Sequence, residues 1–330
     1  MSSAMSIKGK LDISAFDLAV GALLERHKVL RSYFPNARDV GYLSEESVVC
    51  ELIELGDDLD TSISEFVTTE SQQPFDLLNE PSFRLKLLQR NVDDHVLLVT
   101  MHHIVSDGWS IGIMVREITE FYNAATENRA ADLPSLQIDF ADYAHWQKNS
   151  YKNLVLNADL TWWEQQLESA PQRVELPTDH PRPPMQTYAG SVESIVIAKD
   201  TVGKLKDVCQ RENVTLYMLT LAVFGVLISR HTAQKDILVG SPFSCRNQKN
   251  LEGLIGFFTN TLPIRLRPRN ELSFSNYLKE VKDFCLGAFE HQNLPFEELV
   301  DCLKPERDMA YSPIMQIIFA FQNSPDHSPD

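Results

Sequence analysis

What this chain lacks narrows its identity before any motif is considered. It has no Cys-x-x-Cys pairing: its five cysteines, Cys50, Cys209, Cys245, Cys285 and Cys302, are scattered and odd in number. That pattern argues against a disulfide framework or a structural zinc site and fits reduced thiols in the cytoplasm. Positive charge is also scarce. With 30 Lys and Arg against 46 Asp and Glu the formal charge is −16, a poor surface for nucleic acid or for an anionic membrane. Long apolar runs are missing too. The longest, Leu219 to Ile228, is broken by Thr220 and Gly225. A bilayer span needs about 20 residues, so this stretch reads as a buried helix. The start, Met1-Ser2-Ser3-Ala4-Met5-Ser6, has neither the basic beginning nor the apolar core of a signal peptide. Without a Gly-rich phosphate loop or a Gly-x-Ser-x-Gly elbow, ATP use and serine hydrolysis have no support. The expectation is a cytoplasmic protein with no bound cofactor or metal and no nucleic-acid or membrane partner.

What is present reads as a mixed α/β chain. At 330 residues it is long enough for two domains or one large one. Phe16, Ala19, Val20, Leu23 and Leu24 recur at helical spacing within residues 13–27. Residues 83–88 and 95–104 read as two strands around the turn Asn91-Val92-Asp93-Asp94. Helical period returns over 110–123, where Ser106 or Ser110 could serve as N-cap. Five prolines, Pro171, Pro177, Pro181, Pro183 and Pro184, crowd residues 169–188 and predict a linker. Beyond it the pattern predicts a strand over 192–197, helices over 202–211 and 216–229, and a strand over 237–239. Expected boundaries are therefore a first lobe over 1–168, a linker over 169–188 and a second lobe over 189–330.

The stretch richest in chemistry is His102-His103-Ile104-Val105-Ser106-Asp107-Gly108, which follows the apolar run Val96 to Met101. Side chains alternate across a strand. If the strand continues through the pair, His102 and His103 point to opposite faces, one for chemistry and one for structure. The same opposition argues against an iron site built from two histidines and Asp107.

His102-His103-x-x-x-Asp107-Gly108 resembles the signature of the condensation domains of nonribosomal peptide synthetases. Arg26-His27-x-x-Leu30-Arg31 resembles an early motif of that family. Residues 139–146 resemble its Tyr-x-Asp-Tyr-Ala-x-Trp motif, with Phe140 in place of the first tyrosine. Ile255-Gly256-Phe257-Phe258-Thr259-Asn260-Thr261 resembles Ile-Gly-x-Phe-x-Asn-Thr, while residues 291–297 and 307–313 resemble the last two motifs. Measured against the family pattern, the chain reads as a fragment lacking the extreme N-terminal motif and the C-terminal end, with the second lobe incomplete.

The resemblance implies a chloramphenicol-acetyltransferase-like fold of the CoA-dependent acyltransferase superfamily: two lobes in a V with a tunnel between them. It implies amide-bond formation between a donor acyl or peptidyl thioester and the α-amine of an acceptor aminoacyl thioester. Both would ride on 4'-phosphopantetheine arms of donor and acceptor peptidyl carrier proteins, with an adenylation domain adjacent. By motif position His103 is the catalytic residue, as general base or as a group that orients the amine. Gly108 would offer a backbone N–H to the oxyanion. His102 becomes structural, Asp107 a brace whose expected partner is Arg246, and Arg26, Arg31, Trp109 and Asn260 candidates for substrate or tunnel contact. An epimerisation domain, a freestanding CoA-dependent acyltransferase and a non-catalytic carrier-docking module remain alternatives.

Overall fold

The computed structural model describes residues 1–36, 40–44, 48–55, 59–151, 156–187, 189–305 and 308–322. Tyr188, Arg307 and residues 323–330, which belong to the stretches read above, lie outside the described residues. The chain divides into two compact units. One holds residues 1–150 with 246–258; the other holds 151–245 with 259–322.

In the first unit, β1 (Ser2–Lys8), β4 (Cys50–Glu54), β5 (Phe83–Asn91) and β6 (Asp94–Met101) form one sheet in the order β1-β6-β5-β4. β6 pairs antiparallel with both β1 and β5, and β4 joins β5 in parallel. A central strand is covered on both faces, and the unbroken apolar run Val96–Val99 followed by Met101 satisfies both. A short ribbon of β2 (Ser32–Tyr33) and β3 (Gly41–Tyr42) stands apart. Helix α1 (Ile13–Arg26) is capped by the Asp12 carboxylate, which accepts from Ala15 N. It buries Phe16, Val20, Leu23 and Leu24 in the core that also takes Ile113, Met114 and Ile118 of α3 (Gly108–Thr126), and Ala19 is buried on the same helix. Helices α2 (Leu59–Gln72) and α4 (Phe140–Trp146) also belong to this unit.

Strand β6 stops at Met101, not at Ile104 as the apolar pattern suggested. His103–Val105 forms a turn of 3₁₀ helix. The two histidines therefore diverge because the chain leaves the strand there, and strand alternation is not the reason.

The second unit is built around β7 (Ile237–Phe243) and β8 (Asn260–Leu266), which pair antiparallel. Around them lie helices α5 (Leu156–Leu167), α6 (Lys199–Glu212), α7 (Leu216–Thr232), α8 (Phe274–Glu290) and α9 (Phe296–Leu303). Helix α5, expected from sequence in the first lobe, puts Trp163 and Leu167 into this second core. Residues 169–187 form neither helix nor strand, as their prolines dictate. Val174 is nonetheless buried, and its N–H donates to Gln316 Oε1. The strand expected over 192–197 is absent. The segment is extended in sequence pattern only, with Val192 89% and Val196 97% exposed and no ladder partner among the described residues. β-branched composition marks a residue set suited to a sheet, but the ladder needs a neighbouring strand.

Candidate functional site

The turn between β6 and α3 is set by local chemistry. His102 N–H donates to Ser82 O at 2.9 Å, and its Nδ1 accepts the Ile104 N–H at 3.1 Å. Ser106 Oγ then bonds back to His102 O at 3.2 Å. Nδ1 can accept only if unprotonated, so the neutral ring carries its proton on Nε2. Burial first, then His103, holds the His102 imidazole below the ordinary histidine range. Its ring meets Phe75 edge-on at 5.9 Å. His103, one residue on, is exposed, while Val105, Ser106 and Asp107 are buried behind it.

Asp107 is the N-cap of α3, in extended conformation, and neither serine takes that place. Its Oδ1 accepts from Ser110 N at 3.0 Å, and Ser110 Oγ reciprocates as acceptor for Asp107 N–H at 3.4 Å. This is a capping box with serine at the third helical position. Gly108 opens the helix. A Cβ placed there would meet no atom within 4 Å, so packing does not demand this glycine. First-turn N–H groups have no partners inside the helix, and that of Gly108 is among them.

The Asp107 carboxylate is shared. Arg246 Nη2 donates to Oδ1 at 3.1 Å and to Oδ2 at 3.2 Å, and Phe258 N–H donates to Oδ2 at 3.2 Å. Arg246 Nη1 is fixed by Leu251 O and Leu254 O, both at 2.7 Å, and its guanidinium lies 4.0 Å above the Phe258 ring. Its Nε, buried, finds no acceptor among the described residues. Burial pulls the Arg246 pKa down and the Asp107 charge opposes that shift; the guanidinium stays charged because so large a value must fall far before deprotonation at neutral pH. Ser110 Oγ sits 2.8 Å from Asp107 Oδ1 and 3.0 Å from Gly256 O, one proton between two acceptors, and accepts Gly256 N–H at 3.2 Å. Residues 246–258 are thereby tied to the start of α3.

Two consequences concern aromatic groups that sequence reasoning passed over or left unplaced. Phe257, between the pinned Gly256 and Phe258, turns outward at 43% exposure and meets the His103 ring edge-on at 6.1 Å. Trp109, 51% exposed, anchors its Nε1–H on Glu252 O at 3.0 Å.

Arg26, Arg31 and Asn260 are engaged elsewhere. Arg26 Nε bonds Glu117 Oε2 at 3.0 Å, and the same oxygen lies 2.7 Å from His27 Nε2. This buried cluster joins α1 to α3. Arg31 donates to Leu43 O at 2.7 Å and to Leu24 O at 3.2 Å. Asn260, expected at the tunnel, spends its amide on Gln292 O and Leu294 O at 2.9 and 2.6 Å, and accepts Phe296 N–H at 3.2 Å. Both donors and the acceptor of its side chain are thus used in holding residues 292–296. Glu117 could have been suspected as a charge on an otherwise apolar helix face. Phe257 carried a signal only as the variable position of its motif. Among the described residues none of the five cysteines forms a disulfide, and no cluster of metal-ligating groups occurs. Among the same residues no single helix is long and apolar enough to cross a membrane.

Comparison with known proteins follows the same lines. The family model of the condensation domain matches residues 1–330. A linear gramicidin synthase polypeptide of Brevibacillus parabrevis is 39% identical over 98% of this chain, and a plipastatin synthase polypeptide of Bacillus subtilis (strain 168) is 38% identical over 99%. The chain spans 6% and 13% of those relatives' lengths. Among solved structures, the X-domain from teicoplanin biosynthesis superposes with a TM-score of 0.87 at 24% identity, covering 96% of this chain and 72% of that one. The four-domain nonribosomal peptide synthetase AB3403, bound to AMP and glycine, gives 0.85 at 22% identity, covering 98% of this chain and 25% of that one. The mixed α/β, chloramphenicol-acetyltransferase-like fold class expected from the motifs is the fold these structures share with this chain.

Proposed function

This chain belongs to the condensation-domain family, and on that premise we propose that it forms an amide bond between two carrier-bound thioesters in nonribosomal peptide synthesis. The acceptor's α-amine nitrogen attacks the donor's thioester carbonyl carbon. A C–N bond forms, the tetrahedral intermediate collapses, the C–S bond breaks, and the donor's pantetheine arm leaves as a thiol. The amine must be neutral when it attacks and must shed one proton afterwards, and that proton ends on the departing sulfur.

One observation supports the reading most: His103 is the exposed residue of a turn whose other groups are locked in place. An imidazole within hydrogen-bond reach of the amine can hold it in line or take its proton. The Gly108 N–H at the helix start suits the developing oxyanion, which gains from preorganised donors and from the positive end of the helix. Asp107 and Arg246 act through position, since their charges are consumed by each other. The carrier proteins, their phosphopantetheine arms and a neighbouring adenylation domain are the partners this chemistry requires.

The test is to load a donor and an acceptor carrier with aminoacyl-phosphopantetheine, add the chain, and look for dipeptidyl thioester by intact-protein mass spectrometry. Product is expected with the wild type, and His103→Ala should lower the rate by about 10²–10⁴-fold. Product undiminished in His103→Ala would refute the role of His103. Transfer from a free CoA thioester without carriers, or an epimerised and uncondensed product, would replace the reading with one of its relatives.

A further inference from the structure

We propose that Phe257 selects the acceptor substrate, favouring an aminoacyl group with an apolar side chain. The inference rests on the function proposed above and deepens it by naming a substrate class. Three observations carry it. Phe257 stands beside the exposed His103, ring centroids 6.1 Å apart and planes at 70°. It is rigidly held: Gly256 bonds Ser110 Oγ through its N–H, and Phe258 bonds Asp107 Oδ2 through its own. Yet Phe257 is 43% exposed, whereas Ile255 and Phe258 on either side are buried at 1% and 3%. The backbone thus spends several hydrogen bonds on a segment whose outward product is an aromatic ring set against the imidazole.

Distance decides which substrate meets that ring. An amine held by His103 sits about 3 Å from the imidazole. The acceptor's side chain branches from the carbon bearing that nitrogen, one bond of about 1.5 Å further on. Its first atoms therefore fall roughly 4–5 Å from the imidazole, the range of the Phe257 ring. The donor's side chain is separated from His103 by the reacting carbonyl as well and lies beyond this range. An apolar acceptor side chain that covers the ring removes apolar surface from water on both partners, whereas a polar one loses hydration without a partner on the ring.

Leucine and asparagine share one branched side-chain skeleton, so comparing them varies polarity on a common shape, and the Phe257→Gln variant, which removes the apolar ring without emptying the site, separates polarity from steric exclusion. The probes are leucyl- and asparaginyl-pantetheine in which an amide replaces the thioester, and the quantity is the ratio of their dissociation constants on the full chain. Wild type should prefer the leucyl probe. Phe257→Ala and Phe257→Gln should each shrink that preference about tenfold, while Phe257→Leu keeps most of it. Thermal unfolding of each variant, expected to match wild type for so exposed a ring, shows that the fold is intact. An unchanged ratio in Phe257→Ala or Phe257→Gln, or no preference in the wild type, overturns the assignment. Turnover of loaded carriers by the wild type tests the function separately. Turnover with an unmoved ratio refutes Phe257 alone; a moved ratio without turnover refutes the function and leaves the recognition standing.

Discussion

Arg246 Nη2 holds both carboxylate oxygens of Asp107, at 3.1 and 3.2 Å, across 139 residues of chain. Each residue is almost fully buried, at 8% and 2% exposure. The arrangement explains why the segment 246–258 belongs to the first unit although its neighbours in sequence belong to the second. Asp107 is also the N-cap of α3, so one carboxylate terminates a helix, neutralises a buried cation and accepts the Phe258 N–H.

These duties are separable by mutation. Asp107→Ala removes all three and leaves Arg246 charged in a dry site, a loss of about 3–5 kcal/mol. Asp107→Asn keeps a capping oxygen and should recover about 1 kcal/mol of it. Combining Asp107→Asn with Arg246→Met removes the stranded charge, so the double variant should be less destabilised than the sum of the two single changes. Urea unfolding of wild type and these variants measures each quantity. Equal midpoints for wild type and Asp107→Ala would deny the pair its structural role.

Gly256 faces Phe140 so closely that a Cβ there would clash with the ring edge at Cδ2. Phe140 starts α4 and packs edge-on against Phe258 at 5.2 Å. The ring therefore presses on the same segment that Arg246 and Asp107 anchor. Gly256→Ala should cost about 1–3 kcal/mol through overpacking. Adding Phe140→Leu, which trades the flat ring for a smaller side chain, should return part of the loss. Circular dichroism melts of the single and double variants decide it: a Gly256→Ala midpoint equal to wild type would show that the ring yields freely.

Much of this arrangement could be read from sequence, and the failures have physical causes. Helices with one apolar face, such as α1 and α3, were legible because burial of that face imposes the 3.6-residue period. The Asp107–Arg246 partnership came from motif resemblance, since nothing in local spacing links residues 139 apart. The end of β6 was misplaced because Ile104 and Val105 continue its apolar run, while the bonds that turn the chain are made by His102 Nδ1 and Ser106 Oγ. Val192 to Ile197 had the composition of a strand, but pairing is a property of two segments. Arg26, Arg31 and Asn260 carried chemistry on paper, and the fold spent their donors on Glu117 and on backbone carbonyls.

His102 makes the turn before α3 sensitive to acid. Its imidazole is held below the ordinary histidine value by burial and by His103, while the unfolded chain titrates at about pH 6.5. Between the folded and unfolded values the unfolded state binds more protons, so stability rises with pH across that window. Above about pH 6.5 the contribution is fully present; as pH falls through the window it is lost, and Nδ1 ceases to accept the Ile104 N–H. A His102 resonance titrating below a denatured-state histidine, with an unfolding midpoint that drops on acidification below about pH 6.5, is the expected result. His102→Gln should flatten that drop. A folded-state value above that of the denatured chain would reverse the sign and defeat the account.

Asn260 offers the clearest separation between a structural and a substrate-facing role. Its amide donates to Gln292 O and Leu294 O and accepts from Phe296 N–H, clamping the loop between α8 and α9 onto the start of β8. Alanine would strand two carbonyls and one N–H, each costing about 1–3 kcal/mol where water cannot replace the lost partner. Partial exposure of Asn260 lets water recover some of this, so a total of about 2–4 kcal/mol is expected. Aspartate is the sharper probe: Asn260→Asp keeps shape and the acceptor for Phe296 N–H but turns a donor toward two carbonyl oxygens into a negative charge. It should destabilise at least as much as alanine, and hydrogen exchange should quicken at residues 292–296 before it does in α8. If Asn260→Ala instead left stability and exchange untouched while lowering condensation, the side chain would act on substrate and the clamp would be incidental.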